Sequence, residues 1–362
     1  MKTGIYLLVL SEICVEISKA GIKIKNPQKE KENHFWERNN NVNIAKEWHN
    51  DKNMSKPFEE QGLEEFTLYN FTEKTANFGF NLYRKIAMTH DNNVIISPLS
   101  VSTLMTAYML AAKGETRRQI AKGLNLHALK DRVDRHHLPA LFKQLKDNIT
   151  MNDELLVQGK WVYPFNSKFT ETETFHINKY RSVQVPMMFK SDKLNSTFDE
   201  NLRCTVIKLP YKGKAHMLIV IPEKEGDYIS LEDHLTTELV ESWLGNMKTR
   251  KVDISFPKFK LEQKYKLKKL LHTLGIKNLF TRTADLGHLT DQGYVAVSQV
   301  VQKAVIEVNE EGTEATAASG SEITAFTVPP VVKVDRPFLF MIFEETFKTL
   351  LFIGRVVDPT DI

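Results

Sequence analysis

The chain has 362 residues, of which 42% are hydrophobic and 26% charged, with a formal net charge of +4. That length suits one large or two medium globular domains, and so mild a charge, spread along the chain, argues against a nucleic-acid binder. No stretch approaches the ~20 apolar residues of a membrane span, and two cysteines, Cys14 and Cys204, exclude an internal disulfide framework.

Met1 and Lys2 followed by the apolar run 5–10 read as a secretory leader over 1–20, although Glu12 and Glu16 follow where such a leader stays apolar. A secreted, extracellular protein is expected. Sequons at Asn53, Asn70, Asn148 and Asn195 fit a secreted glycoprotein. Residues 21–65 are poor in aliphatics and rich in Lys, Glu and Asn, so they read as a charged disordered tail in spite of Trp36 and Trp48.

The folded domain is expected over 66–362. Helical periodicity over 66–88 (Phe71, Ala76, Phe80, Leu82, Ile86) is followed by a short strand at 93–96. Ser97 and Pro98 then open an apolar helix to about Ala112, and another helix is predicted over 115–124. Strands are predicted at 183–188, 206–209 and 217–221, helices near 231–247 and 263–274, and strands at 331–334, 338–343 and 350–357. Helices first and strands later give an α+β domain.

Residues 310–326 carry most of the functional signal. Their Gly, Ala, Ser and Thr content makes an accessible, protease-sensitive linker. Counting in twos from Thr313 meets Ala315, Ala317, Ser319, Ser321, Ile323 and Ala325, with no charge, while the other set holds Glu314 and Glu322. As a strand, such a segment would bury one face and keep both carboxylates in water. It can therefore sit exposed as bait and later join a sheet.

The run Glu310-Glu-Gly-Thr-Glu-Ala315 resembles the hinge of the serpin family. The runs 334–342 and 351–356 resemble the C-terminal signature of that family, and 93–100 with 111–116 its buried helix. Gly159-Lys-Trp161 with Pro164 and Phe165 is similar to the top of its third central strand. The resemblance implies a serpin fold, in which helices and two sheets carry an exposed reactive-centre loop, and a monomer that needs no cofactor or metal. It implies a suicide substrate: a serine protease acylates itself on the loop, which then inserts between the third and fifth strands of the central sheet. The hinge is Glu310, Gly312, Thr313, Glu314, Ala315, Thr316, Ala317 and Ala318, and the count from Gly312 places the reactive bond between Phe326 and Thr327.

Phe326 suits a chymotrypsin-like pocket. The closer resemblance, over 321–326, 329–337 and 246–250, implies factor Xa or factor XIa as the target serine protease and protein Z as a partner, hence a role in blood coagulation. Lys113, Arg117, Arg118 and Lys122 form one candidate site for a heparin-like glycosaminoglycan, and Lys264, Lys266, Lys268 and Lys269 another. A solvated helical face is the competing reading of each.

The region 66–362 is roughly 60–80 residues short of a complete serpin domain, and the gap falls around 149–158. The chain is therefore expected to lack strands and helices there, most of the third central strand among them. The alternative function is a non-inhibitory or inactive serpin that is cleaved as a substrate or acts as a carrier. An enzyme is not expected: the nucleophile elbow, zinc-protease and phosphate-loop motifs are absent, and His136-His137 reads as a surface pair.

Overall fold

The computed structural model describes residues 12–19, 22–23, 68–127, 159–224, 226–289, 295–310 and 329–361. Helix α1 (Leu68–Ala87) buries Phe71, Phe78, Phe80, Leu82, Tyr83 and Ile86. Burial of each such side chain contributes about 1.5–3 kcal/mol. Helix α2 (Pro98–Ala111) begins with Pro98 in its first turn, where a missing N–H costs nothing. It crosses α1 so closely that a Cβ on Gly79 would lie 2.5 Å from Pro98 Cβ. Helix α3 (Gly114–Gly123) follows at once.

Among the described residues the larger of two sheets has nine strands. Its members are β3 (Val94–Ile96), β4 (Glu171–Asn178), β5 (Arg181–Asp199), β6 (Cys204–Tyr211), β7 (Ala215–Pro222), β8 (Lys248–Pro257), β11 (Val331–Lys333), β12 (Phe338–Glu344) and β13 (Thr349–Val356). They follow the order β11-β8-β5-β6-β7-β12-β13-β3, with β4 also paired to β5. Strands β7, β12 and β13 are buried along their whole length, as strands covered on both faces must be.

The second sheet has four strands among the described residues. Strands β9 (Phe259–Lys266) and β10 (Val295–Val308) pair antiparallel from Val308↔Phe259 to Val301↔Lys266. On the other side of β10 lies β1 (Glu12–Lys19), with the short β2 (Ile22–Lys23) beyond it, so the order is β2-β1-β10-β9. The stretch read from composition as the end of a leader thus contributes a strand.

Two expected helices differ. The helix over 263–274 is strand β9 followed by the short α6 (Lys268–Thr273). Phe259, Leu261 and Tyr265 are buried while Lys260, Glu262 and Lys264 are exposed, so period 2 prevails over the helix propensity of Lys, Glu and Gln. The helix over 231–247 is split into α4 (Tyr228–His234) and α5 (Thr237–Asn246), because Thr236 caps α5 by accepting from Leu239 N at 3.1 Å. The tail 24–67 and the segment 128–158, which holds His136, His137 and the expected gap, lie outside the described residues.

Candidate functional site

The end of β10 is held by side chains from three distant parts of the chain. Trp161 is bridged to Tyr211 through the backbone, and its ring stacks on the Tyr211 ring at 4.2 Å and 10°. From there Trp161 Nε1 donates to Asn309 O at 3.0 Å, and Phe165 N donates to Glu310 O at 3.2 Å. Phe165 carries Lys190 Nζ 4.7 Å above its ring and leads into a cluster of Phe256, Phe259 and Phe338. Burial pulls the Lys190 ammonium down to about 8, against the opposing charge of Asp192.

Glu310 is the last described residue before the predicted bait segment, and it is itself anchored. Its Oε1 accepts from Thr170 Oγ1 at 2.8 Å, and its Oε2 lies 2.9 Å from Lys258 Nζ. Burial raises the pKa of this carboxyl, but Lys258, the backbone N–H of Glu310 itself and Thr170 outweigh it and hold the group below the usual carboxylate range. Glu310 is therefore a fixed anion at neutral pH.

The far end of the segment is fixed too. Asp253 N donates to Pro330 O at 3.0 Å, and β11 pairs parallel with β8 from Val331↔Asp253 to Lys333↔Ser255. An ion pair between Lys333 and Glu173 reinforces this end. Residues 311–328 are thus strung between two points on well-packed sheets. The expected scissile pair Phe326–Thr327 and the expected hinge residues 312–318 lie within that span, outside the described residues.

The resemblance singled out Trp161 and Phe165 as strand residues, not as a hold on Glu310, and it did not single out Lys258, Thr170 or Tyr211. Their sequence distances from Glu310 and Trp161 leave no local signal.

The first basic cluster is partly engaged in structure. Arg117 Nη1 donates to Met109 O at 3.1 Å, and Arg118 forms a fork with Glu115 at 2.7 and 2.8 Å. Lys113 and Lys122 are exposed near opposite ends of α3. In the second cluster Lys264 and Lys266 are exposed on β9 and Lys269 on α6, while Lys268 lies 5.7 Å from the Phe280 ring.

Of the sequons, Asn70 is half-buried on α1 and Asn195 lies in β5, accepting from Thr249 Oγ1 at 2.5 Å; Asn53 and Asn148 lie outside the described residues. Cys204 is buried and its thiol is pushed up to about 12 by burial, a structural rather than reactive cysteine. Among the described residues no cluster of three His, Cys, Asp or Glu could hold a metal.

A family model described as serpin (serine protease inhibitor) matches residues 73–157 and 141–359. The human protein Z-dependent protease inhibitor is 43% identical over 367 aligned positions, which take in 80% of this chain and 82% of the human protein. The Mus musculus protein of the same name is 41% identical over 368 positions, with the same shares. The crystal structure of the mouse inhibitor superposes with a TM-score of 0.75 at 39% identity, covering 81% of this chain and 98% of that one.

The match also corrects the bare expectation that the chain is simply not an enzyme. That exclusion rested on missing motifs. The serine protease inhibitor match replaces it with a positive assignment, defined by an encounter with an enzyme.

Proposed function

This chain belongs to the serpin family of serine protease inhibitors, and from that premise we propose that its loop 311–328 is presented as bait to a chymotrypsin-fold serine protease, with Phe326–Thr327 as the reactive bond. The observation that carries this reading is the double anchorage of the segment, by Glu310 at one end and β11 at the other. A protease cleaves extended backbone, and a stretch fixed at both ends offers it without large rearrangement. Phe326 would fill the primary pocket of the protease while its catalytic serine forms the acyl-enzyme.

By likeness to the protein Z-dependent inhibitors, the target proposed is a coagulation protease, factor Xa or factor XIa, with protein Z as partner and an extracellular, glycosylated setting. A heparin-like glycosaminoglycan would meet the exposed Lys113 and Lys122 at the two ends of α3. Arg117 and Arg118 already have protein partners and contribute less.

A second reading is that the chain is cleaved as a substrate without trapping the protease. Three observations favour it. The family model matches in two pieces that overlap over 141–157. The alignment with the human relative has 367 positions, more than this chain has residues, yet uses 80% of the chain, so it opens gaps in this sequence. The second neighbour of β10 is β1, from the N-terminal segment, where the resemblance places a third central strand. All three fit a chain that lacks an internal segment near 149–158.

Incubation with chymotrypsin and with factor Xa, followed by denaturing gel electrophoresis, separates the two. A band raised by the mass of the protease supports trapping. Cleavage after Phe326 with no such band supports the substrate reading. An intact chain with either enzyme, and with a broader panel of serine proteases, refutes the bait assignment.

A further inference from the structure

The edge of β10 that faces away from β9 is a strand-docking surface, and its occupant comes from the same chain. Strand β1 runs antiparallel along it from Glu12↔Lys303 to Lys19↔Val295. At three of the four buried β10 positions that pair with β1 the partner residue is apolar, and at the fourth, Val295, it is Lys19. Along β10 the alternation of buried and outer positions skips a step at Ser298 and Gln299, as at a β-bulge. The ladder shifts at the same place, between Glu16 and Ile17. As a result Ile13, Val15 and Ile17 stand opposite Gln302, Val300 and Val297, all fully buried, while Glu12, Cys14 and Glu16 stand opposite the half-buried Lys303, Val301 and Gln299. A slip by one residue would invert every one of these pairs.

The placement matters because of where β10 leads. The chain leaves β10 through Asn309 and Glu310 into 311–328. A segment that folds back from there along β10 runs antiparallel to it, which is the direction β1 already takes. Backbone groups of 295–303 that pair with β1 are thus the groups a returning loop would need, whereas 304–308, next to the hinge, have no partner in β1. We infer that Glu12–Lys19 is a resident strand of the working protein, that it covers an edge otherwise open to aggregation, and that the loop can add to β10 only by displacing it. The last clause rests on the bait-loop reading; the docking itself does not. The inference requires residues 12–19 to remain on the mature chain, against their reading as part of a removed leader.

The test uses the full-length chain. Directly opposed residues of an antiparallel pair have Cα atoms about 4.5–5.5 Å apart, within reach of a disulfide. Cys14 is paired with Val301 in the ladder. Val301→Cys should therefore give an internal disulfide between Cys14 and the introduced thiol on mild oxidation, read by mass spectrometry of non-reduced peptides. Val305→Cys, four residues further along β10 and without a β1 partner, should not. Equal cross-linking of both, or of neither, overturns the docking. Should V301C not fold, hydrogen exchange on the unsubstituted chain and on Val15→Pro gives the same decision, since proline removes a ladder donor. Amides of 295–303 should exchange at least ~10-fold faster in V15P, and equal rates overturn the docking.

A synthetic peptide of residues 313–326 then probes the competition. It should bind V15P at least ~10-fold more tightly than the unsubstituted chain. Equal binding to both, or none to either, overturns displacement by the loop while the cross-link result stands. A mature secreted chain whose intact mass shows it beginning after Lys19 overturns the whole inference.

Discussion

Replacing Glu310 with alanine removes the anchor at the near end of the loop, and its cost follows from the two contacts. The hydrogen bond from Thr170 is made to an ionised acceptor, a class worth roughly 1.5–3 kcal/mol. The ion pair with Lys258 is weaker, roughly 0.2–1 kcal/mol, because 38% of the lysine side chain is exposed and solvent screens it. The loss is therefore about 2 kcal/mol, most of it from Thr170. With a urea slope of about 2–3 kcal/mol/M for a chain of this size, the midpoint should fall by about 0.7–1 M, followed by tryptophan fluorescence. Lys258→Ala alone should cost well under half as much, and adding it to Glu310→Ala should cost almost nothing more. The pH dependence must agree. A carboxyl held below its unfolded value stabilises above about pH 4.5 and loses that contribution as pH falls through its folded value, so E310A should have the flatter acid profile. A midpoint unchanged within ~0.2 M, or additive losses in the double variant, would refute the anchor.

Arg355 and Glu232 form a buried pair at 2.9 Å, with Tyr83 donating to the carboxylate at 2.6 Å and Arg355 Nε donating to Asn92 O. Glu232→Gln should destabilise by about 3–5 kcal/mol by leaving a buried guanidinium uncompensated, and replacing both partners with apolar side chains (E232L with R355M) should recover most of it in urea titrations. Gly354 lies where a Cβ would meet Val94 O at 2.4 Å and Phe340 Cζ at 2.6 Å, so Gly354→Ala should cost about 1–3 kcal/mol or prevent soluble expression. In the cavity beside α5, burial holds His216 below its usual pKa, and Glu345, which accepts from it at 3.2 Å, is held down to about 2. His216 Nε2 is buried with no partner among the described residues, so protonating it gains no acceptor. Stability should fall as pH drops below about 6.5 and again as it drops below about 4.5; His216→Gln should remove the first step in thermal unfolding, and its persistence would disprove the assignment.

Much of this fold was legible in the sequence where local pattern and tertiary position agree. The apolar spacing of α1, the Ser97-Pro98 start of α2 and the apolar runs of β7, β12 and β13 each point to the element observed. Strand β9 was hidden because Lys260, Glu262, Gln263 and Lys264 are good helix formers, and only the alternation of Phe259, Leu261 and Tyr265 betrays it. The site was legible only in part. Loop composition and the hinge run raise the expectation of a bait segment, which lies outside the described residues, whereas the residues that hold Asn309 and Glu310 are Trp161, Thr170 and Lys258, and no periodicity links them to that end of β10.

The two sheets separate what family membership supplies from what the substrate reading would remove. The nine-stranded sheet runs unbroken from β3 to β11 and supplies the fully buried β7, β12 and β13, so the framework that fixes the far end of the loop is intact. The four-stranded sheet is where this chain departs from the resemblance, since β1 lies beside β10. On the bait reading, acylation by a protease needs only accessible backbone held at both ends, and the anchors at Glu310 and β11 supply the two fixed ends. Trapping needs more: the loop must enter a sheet faster than the acyl-enzyme hydrolyses, and on the proposed reading it must first displace β1. Cleavage and trapping are therefore separable properties here. On these proposals the first would be set by the loop and its anchors, the second by the competition for one edge of β10.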